Sequence, residues 1–81
     1  GRDLIERGLA DLSRGEETVE ALLVAIGAPR LRRLGFQIPT VPTPEHRLYD
    51  LLSRADPDAA HGRYNALLRR LVSFERAACG D

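Results

Sequence analysis

Cys79, His46 and His61 are the residues of this 81-residue chain whose types most often do covalent or metal chemistry. A cysteine nucleophile needs a base within hydrogen-bond reach. His61 and Cys79 fall on one predicted C-terminal helix, eighteen residues and therefore about 27 Å apart. No dyad forms within that helix, and a cysteine at the end of a chain is expected to be an inert small residue. For a metal, His46 and Asp50 stand one turn apart on one predicted helix, and Asp58 and His61 nearly so on the next. Both pairs lie at the N-terminal ends of helices joined by a short connection. Antiparallel packing then separates them by about a helix length, near 15 Å. A site needing converging ligands does not close in one chain, so neither a metal nor any other cofactor is expected.

Arg54 and His61, with six residues between them, resemble the short Arg/His motif of HEPN-type ribonucleases. That resemblance implies a small helical protein cleaving RNA without metal, with Arg54 and His61 in the motif positions. Pro57 interrupts the stretch, where that motif belongs on or near a continuous helix. The competing expectation is that Arg54 pairs with Asp50, four residues back, and that His61 lies exposed in an opening turn. That expectation is the one carried forward, and the chain is read as a non-enzyme.

The basic residues offer recognition instead. All twelve are arginine, a choice that a GC-rich, bacterial genome produces through codon usage alone. Formal net charge is zero, whereas proteins that bind by neutralising phosphates usually carry a basic surplus. One stretch, residues 19–36, imitates a helix-turn-helix, with Arg30, Arg32 and Arg33 on its second helix. It departs from that motif where Leu23 takes a small-residue position, Arg33 an apolar one, and Gly35 stops the recognition helix after about two turns. Charge is also segregated: residues 1–28 hold six acids against three arginines, and residues 29–54 five arginines against two acids. Opposite patches suit pairing between copies, docking on a charged partner, or balance within the fold.

The elements that must position these residues read as helices throughout. Leu4, Ile5, Gly8, Leu9 and Leu12 form one stripe over residues 2–14, and Gly8 on it invites a close neighbour. Ser13-Arg14-Gly15-Glu16 has the form of a capping box opening a second helix, whose buried face is Val19, Leu22, Leu23 and Ile26. Gly27 and Pro29 end it, and a brief third helix with Leu31 and Leu34 stops at Gly35. Residues 36–44 hold three prolines and should run extended across the helices, with Phe36, Ile38 and Val41 completing the core. Thr43-Pro44 opens a fourth helix (Leu48, Leu51, Leu52, Ala55), and Asp56-Pro57 a fifth. In the fifth, Ala60, Tyr64, Leu67, Leu71, Phe74 and Ala78 repeat at alternating spacings of four and three, a heptad seam. Leu68 and Val72 widen it on one side, Arg63 and Arg70 border it on the other, and Gly80 closes the helix.

The expected fold is therefore all-α, a single domain over residues 1–81. It is a small bundle of four to five helices with a Pro-rich extended crossing segment and a long C-terminal helix. No apolar run approaches the roughly 18 residues that cross a bilayer, so no membrane partner is expected. One cysteine gives no disulfide framework, so the expected location is cytoplasmic, and the absent initiator Met suggests trimming or an excised domain. The expected function is a non-catalytic protein–protein interaction module, a homodimer through the C-terminal helix or a regulator of a larger partner. The candidate partner-binding residues are Arg30, Arg32, Arg33, Arg63, Tyr64, Arg70 and Leu71. The alternatives are a small DNA- or RNA-binding regulator using the corner at residues 30–33, and a metal-independent helical ribonuclease.

Overall fold

The computed structural model describes residues 2–78 and contains five helices and no strand among them. They are α1 (Arg2–Ser13), α2 (Val19–Ile26), α3 (Ala28–Arg33), α4 (Pro44–Ala55) and α5 (Ala60–Ala78). The protein is an all-α bundle. Its centre is α2, a short apolar helix in which Ala21 through Ala25 are all buried. An eight-residue helix is too short to hold in water by itself. It persists because α1, α4 and α5 pack around it and take its apolar side chains out of water. Leu22, Leu23 and Val24 join Ile5, Leu31, Leu48 and Leu52 as the largest fully buried side chains, each contributing about 1.5–3 kcal/mol of transfer free energy.

Gly8 explains how α1 comes so close to α2. A Cβ placed on it would lie 2.5 Å from the Glu20 carbonyl oxygen and would overlap the Val24 side chain. The missing side chain on the apolar stripe is thus a close helix–helix contact.

The turn after α1 corrects the expected capping box. Gly15 is left-handed (φ 74°). The Gly15 amide donates to the Leu12 carbonyl (3.0 Å) and the Glu16 amide to that of Asp11 (2.9 Å). That paired pattern ends a helix, so Ser13 belongs to α1, where its hydroxyl donates to the Ala10 carbonyl at 2.7 Å. The cap of α2 is Thr18, whose Oγ1 accepts from the Ala21 amide (3.1 Å) and donates to Asp11 Oδ2 (2.6 Å). Asp11 also binds the Arg14 guanidinium, so one carboxylate fastens the α1–α2 turn.

Gly35 closes α3 by the same pattern, at φ 102°, with Phe36 donating to Leu31 and Gly35 to Arg32, both at 3.1 Å. The crossing segment then runs without regular structure through Val41. Ile38 is buried in the core, and the Arg32 guanidinium grips its carbonyl at 2.7 and 3.2 Å. The Phe36 ring meets Phe74 of α5 at 6.3 Å between centroids. The segment completes the core as expected.

Pro44 opens α4 as expected, but Thr43 does not cap it. Thr43 is left-handed (φ 45°) and its side chain makes no capping hydrogen bond. A capping threonine needs extended backbone, and the sharp turn from the crossing segment into α4 takes that away. Asp56 does serve the next turn: its Oδ1 accepts from the amides of Asp58 (3.1 Å) and Ala59 (3.3 Å), leading the chain into α5. In α5, Ala60 and Leu71 belong to the buried core and Tyr64, Leu67 and Phe74 pack half-buried against it, while Ala78 is exposed. Cys79 and the expected stop at Gly80 lie outside the described residues. Among the described residues, no helix is long and apolar enough to cross a membrane.

Candidate functional site

α1 and α5 both stand on α2 and leave a groove of about 620 Å³ between them. Its floor is made by Leu4 of α1, Val19 of α2, and Ala66 with Leu67 of α5, all half-buried. Its rim carries Arg7 on one side and Arg63 and Arg70 on the other, with Asp3 and Glu20 beside them. The sequence places Arg63, Ala66, Leu67 and Arg70 at i, i+3, i+4 and i+7, one face of a helix. The two arginines therefore bracket an apolar step two turns long.

The arginines of the molecule divide into two groups. Arg14, Arg30, Arg47 and Arg54 are ion-paired, to Asp11 and Glu16, Glu75, Glu17 and Asp50 respectively, and Arg32 holds the Ile38 carbonyl. Among the described residues, Arg7, Arg33, Arg63, Arg69, Arg70 and Arg76 have neither an ion pair nor a side-chain hydrogen bond. Four of these six are on α5, and all four are exposed. The only acid on α5 is Glu75, which is 5% exposed. The formal charges on the solvent face of α5 are thus all positive, in a chain of zero formal net charge.

The expected partner-binding residues do not form one surface. Arg63 and Arg70 share the groove. Tyr64 turns towards α4, where its ring meets Tyr49 edge-on at 5.4 Å; burial first, and the Glu45 carboxylate second, push its hydroxyl above its ordinary pKa. Leu71 is 3% exposed and lies in the core, where it lines a separate cavity of about 300 Å³ with Arg30 and Glu75, away from the groove. At the corner of residues 30–33, Arg30 reaches Glu75 at 3.6 Å and Arg32 is spent on the crossing segment, which leaves Arg33 alone without a partner. Sequence reasoning missed Arg7 and the opposition of α1 to α5. Gly8, one residue on, was the available signal, because a helix that sits deep on α2 brings its flank level with that of α5.

Of the residues with potential for chemistry, His46, Arg54 and His61 do not line the groove. Arg54 pairs with Asp50 at 3.1 Å, as the competing expectation held. His61 is exposed, 3.1 Å from the Asn65 amide nitrogen, with its ring 6.5 Å from that of Tyr49. No group of three or more His, Cys, Asp or Glu able to hold a metal occurs among the described residues. The lining of the groove offers guanidiniums, carboxylates and apolar side chains, which suit recognition. Guanidinium is permanently charged and presents a planar fork of donors matched to carboxylate. Comparison with known protein families, with characterised proteins and with solved structures finds no match to this chain.

Proposed function

We propose that this chain is a non-catalytic interaction module that recognises another protein through the arginine-rimmed groove between α1 and α5. The observation that carries the reading is the basic face of α5: four exposed arginines without a carboxylate partner, two of them bracketing an apolar step. Arg14, Arg30, Arg47 and Arg54 pair with the chain's own acids, so the concentration of partnerless arginines on α5 marks a surface left for another molecule. Arginine is favoured at interfaces because its stem packs while its head makes directed bonds. The apolar stripe of α5 supports a partner at this flank over a dimer through the seam, since Leu71 and Ala60 are already used by the chain's own core.

The test is gel filtration of a fresh extract of producing cells at physiological salt. The chain is expected to migrate above the mass of one copy, and the Arg63→Glu/Arg70→Glu double variant at the position of the free chain. Identical migration of the two forms would contradict the reading.

A further inference from the structure

We infer that the occupant of the groove is an acidic amphipathic helix of a partner protein, with carboxylates two turns apart and apolar residues between them. This rests on the interaction-module reading and gives its partner a chemistry. Three arginines against two acids leave the groove with a positive surplus, so its complement carries negative charge. The spacing is more specific than the sign. Arg63 and Arg70 are separated by two turns, about 10.5 Å along α5. A helix lying alongside presents acids at i and i+7 at that same interval, and its i+3 and i+4 side chains then face Ala66 and Leu67. Helix-in-groove recognition uses this register of anchors.

A second copy of this chain does not fit. The acids of α1 are Asp3, Glu6 and Asp11. In α4 they are Glu45 and Asp50. α2 and α5 have one each and α3 none. No described helix carries two acids seven residues apart. Single-stranded nucleic acid fits less well too, because its binding surfaces combine basic grooves with aromatic stacking platforms. The aromatic side chains here are grouped away from the groove, Tyr49 with Tyr64 between α4 and α5, and Phe36 with Phe74 at the crossing segment.

The test uses a synthetic helical peptide with Glu at i and i+7 and Leu at i+3 and i+4, titrated into the ¹⁵N-labelled full chain. Binding is expected to shift the amides of Arg7, Ala66, Leu67 and Arg70, and to weaken about tenfold when Lys replaces both Glu or when Arg63→Glu/Arg70→Glu is used. Equal binding by a peptide with its acids at i and i+5 would overturn the inference, since the register would then carry nothing. A poly-uridine probe that shifts the groove amides where the peptide does not would overturn it in favour of nucleic acid. Shifts that grow with protein concentration alone would overturn it in favour of a second copy. Failure of the peptide together with a migration shift in the extract would refute the acidic helix and leave the interaction module standing.

Discussion

Glu75 is a carboxylate that α5 turns inwards, against Leu71 and close beneath Gly27, where a Cβ would lie 3.1 Å from its Oε2. Burial pushes its pKa above the ordinary value of 4.5, and Arg30, itself exposed and 3.6 Å away, offsets only part of that. An acid whose folded pKa is raised favours folding most when protonated. Its contribution is fully present below about pH 4.5 and is lost as pH rises through the folded value. The Glu75→Gln variant keeps the shape and removes the charge. Its stability in urea relative to the parent chain should therefore increase from pH 4.5 to pH 7; a gap that narrows over that range would contradict the burial argument. Thr18 makes a second prediction at this scale. Thr18→Ala should cost about 1–2 kcal/mol by losing the cap and the bond to Asp11, while Thr18→Ser should recover most of it. Equal loss in both would show that the hydroxyl is not what caps α2.

Two glycines on helices separate packing from propensity. Gly8 meets the backbone of α2, so Gly8→Ala should destabilise by about 1–3 kcal/mol through overpacking, more than the roughly 1 kcal/mol that Ala returns in helix propensity. Gly62 on α5 is exposed, and a Cβ there would meet nothing within 4 Å, so Gly62→Ala should stabilise by up to about 1 kcal/mol. Chemical denaturation of the two variants checks both signs. The helices themselves were legible in the sequence because periodicity of Leu4 to Leu12, of Val19 to Ile26 and of Ala60 to Phe74 reports which face must be buried. Their joints were not. Ser13-Arg14-Gly15-Glu16 satisfies a helix start and a helix stop equally well, and only the left-handed backbone at Gly15 decides between them. Thr43 likewise has the right type for a cap and the wrong backbone. The arginine border of α5 could be read from residue spacing, but for its partner wall, Arg7 on α1, Gly8 signals only that α1 comes close to α2, not which flank of α1 then faces α5.

Across the whole molecule, charge follows use. Asp11 of α1, Glu16 and Glu17 of the turn after it and Asp50 of α4 meet arginines at Arg14, Arg47 and Arg54, and four of the six arginines without a partner among the described residues lie on α5. Arginines that make no internal contact cost little to replace, so Arg63→Glu/Arg70→Glu should change stability by no more than about 0.5 kcal/mol for each site. A loss of several kcal/mol would mean that these side chains hold the fold together, and would remove the basis for reading them as a recognition surface. The most direct measurement places a photo-crosslinking residue at Asp3, on the rim of the groove, and in a parallel variant at Thr40, on the exposed crossing segment. Irradiation in producing cells is expected to give a discrete, heavier adduct from position 3, absent when Arg63→Glu/Arg70→Glu is added, and none from position 40. An adduct from position 40 alone, or one from position 3 that survives the charge reversal, would contradict the assignment of the α1–α5 groove as the binding surface.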